Sequence, residues 1–122
     1  MSKGRDFLAR HVQYLLSGDT EGMMREHYTE DCELVTFEFN LKGRQAVGKY
    51  LGEDEPKQAG KILGMDEIAF AESDDCIIFT VVVHSEKMGN FVARDALYLE
   101  GGKIKRHIAL TLPPGKDVKS ER

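Results

Sequence analysis

An aspartate near the end of the chain lies on an otherwise apolar strand face. Residues 91–112, FVARDALYLEGGKIKRHIALTL, alternate apolar and polar side chains around a Gly-Gly pair, which is typical of two antiparallel strands joined by a tight turn. If Glu100 pairs with Lys103 across that turn, Asp95 and Arg106 fall on the same face. A carboxylate among apolar side chains is costly unless it is paired, protonated or used. Asp95 is therefore either an acid or base in a pocket or half of a structural ion pair with Arg106.

Three further side chains depend on strand register. A two-residue turn at Met88-Gly89 would put His84 diagonal to Asp95, which predicts a His–Asp dyad for proton transfer. A slip of one residue would turn His84 outward. The same alternation puts Ile108 on the Asp95 face and His107 on the opposite face, so that His107 is expected at the surface or at a dimer interface.

An amphipathic segment near the start of the chain, residues 7–17, carries two more candidates. Its apolar positions recur with helical spacing. His11 either reaches the pocket or is half-buried at the seam between helix and sheet. Tyr14, one turn on, either lines the pocket or packs in the core. His27 is expected at the exposed end of a second helix.

The elements that position these side chains follow from periodicity and turn signals. The sequence predicts helices over 7–17, 20–27 and 44–51, a polar loop over 52–61, and strands over 32–39, 62–72, 76–86, 91–99 and 103–112. Helices come first and an antiparallel meander follows, which is an α+β pattern. A strongly twisted sheet can curl around the first helix and leave a cone-shaped pocket open. The polar tail, 113–122, is expected to be disordered.

Three segments in this order and spacing resemble the nuclear transport factor 2-like superfamily, particularly its SnoaL-like and ketosteroid-isomerase-like branch. They are GDTEGMMREHYTEDCEL, LKGRQAVGKYL and ARDALYLEGGKI, within a resemblance that covers about residues 5–112. The resemblance implies one domain, residues 1–112, with a curved, mostly antiparallel sheet wrapped around an N-terminal helix. It also implies a pocket for small apolar molecules. Members include isomerases, dehydratases, cyclases and epoxide hydrolases, and also proteins with no known catalysis.

The resemblance assigns roles to individual residues. Asp95 falls where ketosteroid isomerases keep a protonated aspartic acid that donates to an oxyanion. His11 aligns with the tyrosine that is their other donor. Their general base falls near Thr36, which cannot act as a base, while Glu38 keeps the same face two positions on. The implied function is acid–base chemistry on a small apolar substrate by an isomerase, dehydratase (a lyase) or hydrolase. The alternative is a non-catalytic ligand-binding or dimerisation module, so enzymatic activity stays open. The candidate catalytic residues are Asp95, His84 and His11, and the candidate substrate-binding residues are Tyr14, Thr36, Glu38, Arg106 and Ile108.

Whole-chain properties limit the partners. The chain has 122 residues, a net charge of −4 and a pI near 5.6, which argues against a nucleic-acid or anionic-membrane partner. No apolar run approaches the roughly 20 residues of a membrane span, and the first residues contain no apolar signal segment, so a cytoplasmic location is expected. The histidines are scattered without metal-ligand spacing, and neither a metal nor a cofactor is expected. Both faces of strand 76–86 are apolar, which predicts a homodimer.

Overall fold

The computed structural model describes residues 2–111, so the predicted tail, 113–122, lies outside the described part. The helices are α1, Lys3–Ser17; α2, Thr20–His27; α3, Arg44–Lys49; and α4, Glu55–Ala59. A π-helical turn, Tyr50–Asp54, joins α3 to α4. The strands are β1, Tyr28–Val35; β2, Asn40–Lys42; β3, Ile62–Glu72; β4, Cys76–Ser85; β5, Gly89–Glu100; and β6, Lys103–Ala109. No helix within residues 2–111 is both long enough and apolar enough to cross a membrane.

Within residues 2–111, six strands form one curved, open sheet in the order β2-β1-β6-β5-β4-β3. Strand β1 runs parallel to β6, and every other neighbouring pair is antiparallel. Buried side chains of α1, α2 and α3 form one apolar core with those of the sheet. The predicted α+β class, with a mostly antiparallel curved sheet around an N-terminal helix, is confirmed.

Local capping signals set the bounds of the first two helices. The Ser2 side chain accepts a hydrogen bond from the Arg5 N–H, so α1 begins earlier than the predicted residue 7. It ends at Gly18, which adopts a φ of 74° that favours glycine. Asp19 caps α2 by accepting from the Gly22 N–H at 2.9 Å. The predicted bounds of α2 are confirmed.

The register of β4 against β5 differs from the predicted one. Ser85 pairs with Gly89, and Asp95 therefore lies opposite Phe79. The two-residue turn at Met88-Gly89 that the sequence suggested would have paired Lys87 with Asn90, a register three residues away. Since side chains alternate with a period of two, that odd difference turns each β4 side chain to the other face of the sheet.

The hairpin of β5 and β6 contains a bulge. The predicted pairing of Glu100 with Lys103 is confirmed, and Leu99 lies opposite Ile104. The next pair on the ladder is Tyr98 with Arg106, so one residue of β6 has no partner on β5. A bulge of one residue reverses the facing of everything beyond it. Every residue of β6 from Arg106 onward therefore faces opposite to the sequence expectation.

Candidate functional site

A cavity of about 150 Å³ lies between α1, the π-helical turn with α4, and the concave face of the sheet. Much of its lining is apolar, including Leu8, Val12, Leu34, Phe79, Val81 and Ala93. Among the polar residues that line it are His11, Tyr28, Glu55, Asp95 and His107. Its volume matches that of an engineered protein cavity that takes up benzene. The cavity is therefore suited to a molecule of about one ring.

Asp95, His107 and Tyr28 form a buried hydrogen-bonded chain beside this cavity. Nε2 of His107 lies 3.1 Å from Oδ2 of Asp95, and Nδ1 of His107 lies 2.9 Å from the Tyr28 hydroxyl oxygen. With Asp95 ionised, the His107 Nε2–H donates to the carboxylate and the Tyr28 O–H donates to Nδ1. Burial, followed by the charge of Asp95, raises the pKa of Tyr28 well above its usual value. The tyrosine therefore stays a proton donor and fixes the tautomer of the imidazole.

The second carboxylate oxygen of Asp95, Oδ1, is buried and has no hydrogen-bond partner within residues 2–111. A buried acceptor without a partner is uncommon and costly. Asp95 lines the cavity, so a proton or a hydrogen-bond donor of a bound molecule is an available partner. The two oxygens of one carboxylate thus differ, with one held by His107 and the other free to react.

Glu55 is a site residue that the sequence analysis missed. It begins α4, directly after the π-helical turn, and its half-buried side chain lines the cavity. Burial raises the pKa of Glu55 to about 7, and the charge of Asp95 adds to this effect while His107 opposes it. The sequence signal was the spacing Leu51, Glu55 and Ala59, a helical stripe inside a segment predicted to be a loop. The Gly and Pro residues of that segment are typical of a loop, and the prediction followed them rather than the helical spacing.

His11 and His27 form a second buried pair. Their Nδ1 atoms lie 2.9 Å apart, and each residue is 3% exposed. His27 stacks on Phe7 with a ring separation of 4.0 Å. Burial lowers the pKa of both imidazoles. The expectation that His27 lies at an exposed helix end is wrong, because α2 packs its last turn against α1.

Two predicted binding residues lie where the cavity opens toward solvent. Thr36 and Glu38 line the cavity beside Phe37, which is 79% exposed. The Thr36 hydroxyl donates to the Phe39 carbonyl at 3.0 Å and accepts from the N–H groups of Glu38 and Phe39. Thr36 therefore holds the turn between β1 and β2, and Glu38 remains exposed.

The predicted contact of Arg106 with Asp95 is wrong. The bulge in β6 turns Arg106 to the outer face, where it binds Glu33 at 3.1 Å. Ile108 is likewise on the outer face, opposite Ala96, rather than on the Asp95 face. His107 occupies the inward position that the sequence had assigned to the arginine.

The predicted His84–Asp95 dyad is also wrong. His84 lies on the outer face of β4, with Nε2 2.7 Å from Asp66 and Nδ1 2.7 Å from the Asn90 side-chain oxygen. Tyr14 does not line the 150 Å³ cavity. Its hydroxyl donates to Glu26 in a surface network.

No three His, Cys, Asp or Glu side chains in the described part of the chain are grouped so that they could hold a metal ion. The chemistry that this arrangement supports is proton transfer. Asp95 offers a carboxylate oxygen that no described residue occupies, and Glu55 offers a carboxyl group with a pKa near neutrality. One imidazole, that of His107, is hydrogen-bonded to Asp95, and two others, those of His11 and His27, are hydrogen-bonded to each other.

Comparisons with known proteins find similarity in structure but not in sequence. No protein-family model matches the sequence, and no curated protein sequence matches it. Solved structures do match. An NTF2-like protein of unknown function from Burkholderia xenovorans superposes with a TM-score of 0.74 at 15% identity, covering 94% of this chain and 87% of that chain.

Two other solved structures carry provisional assignments of activity. A protein from Shewanella putrefaciens, provisionally assigned as a SnoaL-like polyketide cyclase, has a TM-score of 0.76 at 12% identity, covering 91% of this chain and 90% of that chain. A protein from Kribbella flavida, provisionally assigned as a ketosteroid isomerase, has a TM-score of 0.74 at 11% identity, covering 94% of this chain and 82% of that chain. At such identities the similarity shows the fold alone. The chain has the nuclear transport factor 2-like fold that its sequence resembles.

Proposed function

We propose that this protein binds a small, largely apolar molecule in its cavity and catalyses proton transfer on it, as an isomerase, lyase or hydrolase. One observation carries the proposal. The half-buried carboxylate of Asp95 lines the cavity, with one oxygen held by His107 and the other, which is itself buried, without a hydrogen-bond partner within residues 2–111. A carboxylate positioned in this way is suited to act as a general base.

The proposed chemistry uses two carboxyl groups in different protonation states. Oδ1 of Asp95 accepts a proton from a carbon next to a carbonyl group, while the His107 Nε2–H continues to donate to Oδ2. Glu55, with a pKa of about 7, is partly protonated at neutral pH and donates to the carbonyl oxygen on which negative charge develops. Return of the Asp95 proton to another carbon gives isomerisation, whereas its replacement by a solvent proton before return to the same carbon gives exchange, and either return regenerates the carboxylate. The outcome is exchange or isomerisation.

The size of the cavity restricts the substrate. At about 150 Å³ it is smaller than the roughly 300–1,000 Å³ of sites for drug-sized ligands. The proposal therefore concerns molecules of about one ring that carry a carbonyl or similar polar group. The alternative, a non-catalytic ligand-binding module, is favoured by the apolar share of the lining and uses the same cavity.

Deuterium exchange tests the proposal. Cyclohexanone, a single-ring ketone, is incubated with the protein in D₂O near neutral pH, and loss of the hydrogens next to the carbonyl is followed by proton NMR. We expect exchange above the buffer rate that saturates with ketone concentration, and the Asp66→Asn variant, altered only at the outer face, should match the wild type. Chemical-shift changes at cavity residues without exchange would instead support the non-catalytic module. The absence of both binding and exchange would overturn the proposal.

We also propose that the protein forms a homodimer through the outer face of the sheet. A shallow depression there is lined by Ala69, Ile78, Ala96 and Leu110, with Ile78 50% exposed. Such an uncovered apolar surface beside the edge of a sheet is typical of an interface. A cytoplasmic location remains a prediction from the sequence.

Replacing Ile78 by lysine is expected to convert the dimer to a monomer, because it would bury a charge at the centre of the interface. Sedimentation velocity at micromolar concentration measures the change. Leu63→Lys is the matched control, since Leu63 is 66% exposed on edge strand β3 and lies outside the depression. A wild-type protein that sediments as a monomer would contradict the proposal.

A further inference from the structure

Two buried histidines lie between the surface of α2 and the cavity, and the proposed proton transfer does not use them. His11 lines the cavity, and its Nδ1 lies 2.9 Å from Nδ1 of His27. On the far side, Nε2 of His27 lies 3.7 Å from Oε2 of Glu26, whose side chain is exposed to solvent. The two rings are nearly parallel, with an interplanar angle of 8°. A series of nitrogen and oxygen atoms thus leads from the cavity to the surface, and its last step, at 3.7 Å, is longer than a hydrogen bond, so that a proton crosses it only through water or after a small movement of Glu26.

The contact between the two histidines avoids repulsion only when one Nδ1 donates and the other accepts. One Nδ1 must carry a hydrogen and the other must accept it, because two N–H groups or two lone pairs would repel each other. The two rings therefore hold complementary tautomers. A neutral imidazole can accept a proton on one nitrogen and release one from the other, which makes it suited to a proton relay.

We propose that His11 and His27 relay protons between the cavity and Glu26 at the surface. The inference rests on the proposed function, because a catalytic proton must reach or leave an interior cavity. His11 is the end of the relay that meets the cavity, and His27 is a positioning and transfer residue that does not contact the substrate.

In the outward direction, the relay moves one proton from the cavity to the surface. Nε2 of His11 accepts a proton from the cavity, and the hydrogen on Nδ1 of His11 moves to Nδ1 of His27. His27 then releases the hydrogen on its Nε2 to Glu26 or to water. Both imidazoles end neutral with their tautomers exchanged, and the reverse sequence brings a proton in.

The charged and titratable neighbours suit transient rather than permanent protonation. Burial lowers the pKa of His11, and the neighbouring imidazoles of His107 and His27 lower it further. Around His27, burial lowers the pKa while the Glu26 carboxylate raises it and Arg10 lowers it. Tyr14 and Arg10 hold Glu26 in place through hydrogen bonds. The carboxylate at the outer end is therefore fixed next to His27, and these hydrogen bonds, that of Arg10 first, lower the pKa of Glu26 to about 2, so that it passes a proton on to water rather than holding it.

The His27→Asn variant distinguishes proton transfer by His27 from a purely structural role of its side chain. The asparagine side chain can keep a hydrogen bond to Nδ1 of His11, but it cannot pass a proton on. The first readout, independent of activity, is exchange of the His11 ring N–H with water, measured by ¹⁵N-edited NMR. We expect exchange to slow about tenfold, since proton transfer by a positioned group is lost. Loss of the ring that stacks on Phe7 lowers the melting temperature, which by itself would speed exchange rather than slow it. His84→Asn, altered at an outer-face histidine, should leave the rate unchanged.

The second readout is deuterium exchange of cyclohexanone. His27→Asn should lower it while free imidazole in the buffer restores it and the KM stays constant. An unchanged His11 exchange rate, or a loss that follows only a fall in melting temperature and does not respond to imidazole, would overturn the relay. If the wild type exchanges no ketone hydrogens, the proposed function fails, and the NMR rate alone then decides whether the two histidines conduct protons.

Discussion

Replacement of Asp95 by asparagine is expected to lower the proton-transfer activity of the cavity by about 10²- to 10⁴-fold, the range for a positioned general base. Asparagine keeps the shape of the side chain, and its carbonyl oxygen can still accept from the His107 Nε2–H. It removes the negative charge and the basic Oδ1, so no group remains in that place to take a proton from a substrate. The rate of cyclohexanone exchange measures the effect.

The melting temperature separates this functional role from a structural one. If Asp95 serves the chemistry, the variant should be as stable as the wild type or more stable, because the negative charge of a largely buried carboxylate is removed. If Asp95 serves only as a structural partner of His107, the variant should lose about 1–2 kcal/mol, because a neutral amide oxygen accepts a weaker hydrogen bond from His107 than a carboxylate does. Asp66→Asn is the matched control, since it alters an Asp–His pair on the exposed outer face. An Asp95→Asn protein that is destabilised but still exchanges the ketone hydrogens at the wild-type rate would contradict the catalytic role of Asp95. Only ligand binding in the cavity would then remain.

Replacing Glu55 by glutamine is expected to stabilise the protein above neutral pH by up to about 3 kcal/mol. The pKa of Glu55 rises from its usual 4.5 to about 7 on folding, so the folded state binds more protons than the unfolded state between these values. Stability from this group is complete below pH 4.5 and is lost as the pH rises through 7. Glutamine keeps the size and polarity of the side chain but cannot ionise, so the variant lacks this loss.

Urea unfolding at a series of pH values between 4.5 and 8 measures the difference between the two proteins. His11 and His27 act in the opposite direction, since their lowered pKa values remove stability as the pH falls below about 6.5. Both proteins contain these histidines, so their effect cancels in the difference. Glu53→Gln, at an exposed position of the π-helical turn, is the control. Parallel stability curves for Glu55→Gln and the wild type would show that the Glu55 carboxyl group is not buried in solution.

The sequence by itself determined the elements whose signals are local. Asp19 and Gly18 bound α2 and α1 through a side-chain cap and a positive φ, and both effects act within a few residues. The Gly-Gly turn set the start of the last hairpin, and the bounds of β3 match the predicted 62–72. Alternation along β5 placed Asp95 on an apolar face. The order of these elements was sufficient to predict the α+β class.

The tertiary structure decided which side chains meet Asp95. One unpaired residue in β6 exchanged Arg106 for His107 at the inward position, and the turn between β4 and β5 moved His84 outward. The alternation of each strand was visible in the sequence, but the register depends on hydrogen bonds between distant segments, and a shift of one residue reverses every side chain.

Burial was decided in the same way. Glu55 and His27 have sequence surroundings that are typical of exposed positions, and only the packing of α4 and α2 against the rest of the fold takes them out of water. The shifted pKa values on which the proposed chemistry depends arise from that packing. Burial removes the solvent that would stabilise the charged form, whereas the local sequence carries no measure of it.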